Sequence, residues 1–426
     1  MLRKIIETIG TRYLIAILNL ILLFINARTL GAAGVGVIGL VVASANIVMM
    51  CNSVLSGNTI VYFMNRHPFL LVFLPAYIWT FLAGGVACVV LWGTGLIPEG
   101  YVMHVYVLSV LFSLSAANAR FLLGYDRMRG FNLTYTLQGG LLFIAVLLLY
   151  YGLEIKSVDA YLWGLYFAYG SAWFVSLILL LPSFKPVPMK TLPKLTGKML
   201  QYGLWAGVDN LAEQFTSRVN YFLIQSFSGL GSVGLLDAGT KVSESIWNIS
   251  RSVSFIAYGN VAKTDDAAIQ KRITIQLGKL TFAATFTAMA LVLLIPEFVY
   301  TSWLFGEEFK GIRTVILCLS PGVVALACNS ILSHFFIGSG RIRTSAACSL
   351  IGLMVLLGTG SFLIPLLGVI GAAISGSIAF VSMLTFSTVL FCRTSGAHLR
   401  DFLFTADDRS YLREKTQLFL SGFKHS

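Results

Sequence analysis

Apolar runs recur along almost the whole chain, separated by short polar stretches. A helical membrane crossing takes about 20 apolar residues. Twelve runs qualify: 6–27, 35–55, 69–91, 103–123, 132–151, 160–181, 199–227, 233–258, 277–299, 314–337, 344–366 and 369–391. The pattern predicts an all-α polytopic membrane protein with twelve transmembrane helices. The polar stretches reach only about 30 residues, too short for a soluble domain of their own. Arg3 and Lys4 ahead of the apolar run Tyr13–Ile25 imitate a secretory leader. No small-x-small site precedes Asn26, so the run reads as the first span.

Charge placement then sets orientation. Of the 30 Lys and Arg residues, sixteen fall in the N-terminal segment and alternate loops, six in the tail after residue 391, and four in the opposite loops. Those four are Arg28, Lys156, Lys310 and Arg313. Cytoplasmic loops carry the excess of Lys and Arg, which predicts that both termini are cytoplasmic. The segment 182–198 (PSFKPVPMKTLPKLTGK) holds four prolines and four lysines. It divides the chain into six-span lobes, 1–181 and 199–391, followed by a cytoplasmic tail, 392–426. In that tail Tyr411, Leu412, Lys415, Leu418, Phe419 and Phe423 make one largely apolar face, predicting an amphipathic helix on the inner leaflet.

The lobes repeat each other. Gly31, Val35 and Gly36 of LGAAGVGVI match Gly229, Val233 and Gly234 of SGLGSVGLL, six spans later. Repeats an even number of spans apart are parallel and related by an axis along the membrane normal. Two parallel six-helix lobes around a central cavity follow. Gly203-x-x-x-Gly207 and the group Gly368, Gly371, Ala372 and Gly376 suit close helix packing. Pro75 and Pro321 fall inside spans and predict kinks. The segment 300–313 (YTSWLFGEEFKGIR) reads as an outer loop whose aromatics suit the interface.

The stretch 199–258 concentrates the chemistry. It reads as two helices joined by a Gly/Ser turn at 228–232, and it holds ionisable residues inside apolar runs. Asp237, Lys241, Glu244, Asn248 and Arg251 follow at spacings of four, three, four and three, one stripe on one helix face. Asp209 and Glu213 share a face of the preceding helix, and Arg218 does not fall on it. A charge near the bilayer centre costs roughly 2.5–3.5 kcal/mol or more, so such residues face a bundle interior or a wet cavity and mark transport paths. Structural pairs such as Asp237 with Lys241 are the competing reading.

Composition narrows the class. The chain is 57% hydrophobic and 11% charged, against about 25% charged in soluble domains; its mean hydropathy is +0.82. The net charge of +12 is spent on topology, which argues against a nucleic-acid partner. The six cysteines form no CxxC and no Cys/His cluster, so neither disulfide nor metal site is expected. There is no Walker sequence, GxSxG or HExxH, no cofactor motif, and no loop large enough to cover a sugar-modifying active site. A carrier, not an enzyme, is the expectation.

Several segments resemble one family. Asn26–Gly36 (NARTLGAAGVG) looks like the "aR-x-LG-x-x-x-x-G" opening segment of polysaccharide-exporting flippases. Leu304–Phe309 (LFGEEF) resembles their "lfG-x-x-f" loop, and Gly338–Arg341 (GSGR) fits their small, basic turn. Leu363–Ala373 (LIPLLGVIGAA) resembles their "LIP-x-yGi-GAA" segment. The resemblance is to the O-antigen and capsule repeat-unit flippases of the multidrug, oligosaccharidyl-lipid and polysaccharide exporter superfamily. It implies two lobes that alternate access to a cationic cavity in the bacterial inner membrane. The cargo it implies is an undecaprenyl-diphosphate-linked oligosaccharide, drawn from membrane lipid, coupled to a proton or sodium ion and passed to the polysaccharide polymerase machinery. Arg28, Arg120, Arg218, Lys241 and Arg251 are the candidate cations for that headgroup. Asp209, Glu213, Asp237 and Glu244 are the candidate ion-coupling carboxylates. Tyr202, Trp205, Tyr221 and Trp247 are candidates for stacking on sugars. Drug-extruding relatives also have twelve spans and stay as the alternative, with a membrane-embedded sugar-modifying enzyme behind them; lipid II flippases typically have fourteen.

Overall fold

The computed structural model describes residues 2–403 except 65, 262–265 and 340, and omits the helical side chains of 2–9, 12, 58, 205, 206, 209, 247–261, 338 and 342. The chain is all-helical among these residues. Its helices are α1 (Leu2–Ser56), α2 (Asn58–Met64), α3 (Phe69–Gly93), α4 (Val102–Gly124), α5 (Met128–Leu147), α6 (Val158–Leu180), α7 (Leu192–Val261), α8 (Ala267–Leu293), α9 (Ile312–Gly338), α10 (Ile342–Leu367) and α11 (Val369–Ser395). Among the described residues, ten helical segments are long and apolar enough to cross a membrane.

Two helices are far too long for one crossing. At 1.5 Å per residue, the 55 residues of α1 and the 70 of α7 greatly exceed a hydrocarbon core of about 30 Å. Each therefore breaks. The break in α1 is Gly31 (φ 68°, ψ −176°) and that in α7 is Gly229 (φ 77°, ψ 179°). This backbone region is open essentially to glycine alone. Loops were expected at 28–34 and 228–232, yet one residue suffices at each place. Counting both arms of each broken helix restores twelve membrane-length helices. The repeat read in the sequence is thus a repeat of backbone geometry: the matched glycines are the matched breaks.

Other expectations shift in smaller ways. Helix α7 starts at Leu192, so Lys194 and Lys198 ride on its first turns and the linker shrinks to short turns at Leu181–Ser183 and Met189–Thr191. Pro193 is no obstacle there, because a helix's first turn needs no N–H from proline. The segment 300–313 does not present a belt of aromatics. Tyr300, Phe305 and Phe309 are buried and only Trp303 is exposed; Phe24 of α1 meets Phe305 edge-on at 5.0 Å. Pro321 lies inside α9. Ser377 of α11 mends the ladder beside it, donating to the Cys318 carbonyl at 2.5 Å and accepting from the Gly322 amide at 3.2 Å. The tail beyond residue 403, with its amphipathic face, lies outside the described residues.

Packing centres on α1 and α7. Helices α3, α4 and α5 pack on α1, while α8, α9 and α10 pack on α7, and α1 and α7 pack on each other. The core cluster at this junction joins Leu40, Val41 and Ile47 of α1 to Tyr221, Phe222, Val233 and Leu236 of α7.

Candidate functional site

The glycine breaks bring backbones into contact. A methyl on Gly36 would overlap the Leu230 carbonyl, and one on Gly234 would overlap the Ala32 carbonyl. Only glycine at both positions lets the second arms of α1 and α7 meet this closely. The turn segment 299–309 docks on the same corner. Glu308 accepts the Ala32 amide at 2.7 Å, a carboxylate on the first turn after the break, where helix N–H groups are unpaired. Arg28 donates to the carbonyls of Ser302 (2.8 Å) and Trp303 (2.6 Å).

Below this corner the ionisable residues form two pairs. Arg218 of the first arm of α7 grips Glu244 of the second arm through both carboxylate oxygens, at 2.9 and 3.1 Å. It also donates to the Tyr221 hydroxyl at 2.6 Å and lies over that ring. Lys241 meets Asp237 one turn away at 2.6 Å. Asp237 is only 1% exposed, and its carboxyl sits where a side chain on Gly39 would lie. Glycine at 39 on α1 makes room for a buried carboxylate on α7.

A cavity of about 260 Å³ opens beside these pairs. Its walls come from both arms of α1, from α4, α5 and α6, and from the second arm of α7. Ala16, Asn19, Leu20, Leu23 and Asn26 form one helical stripe, joined by Asn46, Phe112, Tyr161, Tyr169, Lys241, Glu244 and Ser245. Asn19 and Lys241 each lie twelve residues from their helix break. That is about 18 Å along the axis, beyond the midpoint of a core roughly 30 Å thick. A smaller cavity of about 40 Å³, lined by Thr216, Ser217, Asn220, Tyr221, Thr240 and Ser243 among others, adjoins Glu244 from the other side.

The sequence-predicted residues are not all gathered here. Lys241 and Glu244 line the large cavity, and Asp237 and Arg218 stand behind them as partners. Arg28 is at the glycine corner. Arg120 is on α4, bonded to the Ser56 carbonyl at 3.1 Å, and lines neither cavity. Glu213 is half-buried on α7 and also lines neither. The side chains of Asp209, Arg251, Trp205 and Trp247 lie outside the described residues. Tyr221 is buried beneath Arg218, and Tyr202 stacks on Tyr62 at 4.5 Å, so neither faces the large cavity. Sequence reasoning missed Asn19, Asn26, Asn46, Tyr161 and Tyr169. The seven-residue step from Asn19 to Asn26 and the eight-residue step from Tyr161 to Tyr169 were the available signs of polar stripes.

No family model matches the chain, and no curated protein does. Solved structures do match in fold. An inward-facing multidrug resistance MATE family transporter of the MOP superfamily aligns with a TM-score of 0.64 at 12% identity, covering 92% of this chain and 98% of that one. The lipid II flippase MurJ in an inward closed conformation aligns with the same TM-score at 13% identity, covering 94% and 89%. An outward-facing MATE conformation gives 0.51 at 12% identity, covering 92% and 94%. The chain shares the fold of these transporters.

Proposed function

We propose that the protein flips undecaprenyl-diphosphate-linked oligosaccharide repeat units across the bacterial inner membrane by ion-coupled alternating access. The observation that carries this reading is a polar cavity at mid-helix depth into which Lys241 and Glu244 point, in a fold shared with flippases and exporters. Lipid-facing charges would have no such use. The two lobes are the halves built on α1 and α7, and they move about the junction between those helices. The glycine corner is the outer end, since the basic loops lie at the other. Its backbone contacts, and the better match to inward-facing than to outward-facing relatives, fit a state closed to the outside. The resemblance to polysaccharide flippases supplies the cargo, and a polymerase on the outer face takes the delivered units.

Coupling follows from the ion pairs. A coupling ion taken up at Glu244 would release Arg218, and one taken up at Asp237 would release Lys241. Neither release is cheap while the carboxylate stays ionised, because stranding one partner of a buried pair costs roughly 3–5 kcal/mol. Arrival of the coupling ion, a proton or sodium, therefore sets when the cations become free for a diphosphate, a strong acceptor of charge-assisted hydrogen bonds. The test uses purified protein in liposomes with a fluorescent polyprenyl-diphosphate oligosaccharide, and follows its movement between leaflets. Protein-dependent flipping, lost in Glu244→Gln, is expected. Export of a lipophilic cation without lipid flipping would instead assign the protein to multidrug transport.

A further inference from the structure

Which part of the cargo the cavity reads can be argued from its walls. The charges cannot read an anion in this state. Lys241 is neutralised by Asp237 and Glu244 by Arg218, so the four groups sum to zero. A lipophilic cation finds no unpaired carboxylate among them either. What remains is amide and ring. Asn19 and Asn46 line the cavity, and their amides make no hydrogen bond to protein among the described residues. Asn26 gives its carbonyl oxygen to the Tyr150 hydroxyl at 3.1 Å, which leaves its NH2 group. At this depth an amide without a protein partner is satisfied only by water or ligand. Each amide offers two donors and an acceptor. A sugar hydroxyl donates and accepts, and so uses both; a phosphate only accepts. Phe112 and Tyr169 pack at 4.2 Å, and with Tyr161 they add ring surface suited to a sugar's apolar face. About 260 Å³ is close to the smallest small-molecule pockets, roughly 300 Å³, and suits a sugar residue rather than a whole repeat unit.

We propose that this cavity is a glycan subsite: Asn19, Asn26 and Asn46, with Tyr161 and Tyr169, bind a neutral sugar of the cargo, and the diphosphate adds little affinity while the ion pairs are closed. The inference rests on the lipid-linked oligosaccharide reading. The test measures binding to the full chain in nanodiscs at neutral pH. The probes share one polyprenyl tail and are a bare diphosphate, a diphosphate trisaccharide and a trisaccharide in neutral glycosidic linkage. The glycosylated lipids are expected to bind within about threefold of each other, and the bare diphosphate about tenfold or more weaker. Combining Asn19→Leu with Asn46→Leu weakens both glycosylated lipids by about tenfold and leaves the bare diphosphate unchanged. Should that pair fold poorly, Asn19→Ala serves alone, since Asn19 has no protein partner among the described residues to lose. Equal binding of the bare diphosphate, or parental glycan affinity in folded asparagine variants, overturns the inference and leaves the flippase reading standing. Binding of a tetraphenylphosphonium probe with no binding of any of these lipids overturns both.

Discussion

At the scale of single residues, the interaction most exposed to test is Arg218 with Glu244. The residues are 26 apart in sequence and on different arms of α7, so helical spacing alone does not join them. The sharp break at Gly229 does. Side-chain exposure is 15% for Arg218 and 27% for Glu244, low enough that a stranded charge matters and high enough that water softens the loss. Either neutral variant alone, Arg218→Gln or Glu244→Gln, should lower stability by about 2–4 kcal/mol, at or below the range for breaking buried pairs. The double variant should recover much of that loss, because removing both charges strands neither. A double-mutant cycle of thermal unfolding in detergent measures the coupling. Additive losses would mean that the pair seen here contributes no mutual stabilisation. Lys241 with Asp237 was legible from the four-residue step alone; Arg218 needed the tertiary turn.

Elements show where sequence carries information and where it does not. Apolar run length located the long helices among the described residues, since a hydrocarbon core demands such runs. The glycine repeat was legible too, because only glycine occupies the backbone region of Gly31 and Gly229. Length of connection was not legible: a glycine break and a short loop leave the same Gly-rich trace. Nor was the cavity, since Asn and Tyr in apolar spans also serve packing, and which stripe faces the lumen depends on helix rotation. The glycine contacts make their own prediction. Gly234→Ala pushes a methyl into the Ala32 carbonyl, so the arms must separate at this corner. Val35, only 1% exposed there, should become reactive as Val35→Cys toward an impermeant maleimide when Gly234→Ala is present, in a background lacking the native cysteines. Unchanged reactivity in a folded variant would show that this contact does not hold the corner shut. Gly31→Ala should be worse for stability, by about 1–3 kcal/mol of backbone strain, with a further clash against the Glu308 carboxylate.

Across the whole molecule, the proposed transport would require the cavity to meet opposite sides in turn, so orientation in the membrane decides which end would load. The glycine corner and the stretch just after the segment docked on it carry Arg28, Lys310 and Arg313, whereas the loops at the other end hold most of the basic residues. Short basic loops are retained on the cytoplasmic side; on the proposed reading the corner therefore lies outside and the cargo enters from the cytoplasm. The connection after α5 tests this directly. Ser157 is a poor place for a probe, because its hydroxyl caps α6 by accepting the Ala160 amide at 3.1 Å, and losing a cap costs about 1 kcal/mol. Lys156 beside it is exposed, as is Lys190 between the two halves. In intact cells expressing a cysteine-free background, Lys156→Cys should react with a membrane-impermeant thiol reagent, and Lys190→Cys should react only after lysis. The opposite pattern would turn the molecule over in the membrane. The closed corner would then face the cytoplasm, and a flippase drawing its cargo from that side could not load in the state described here.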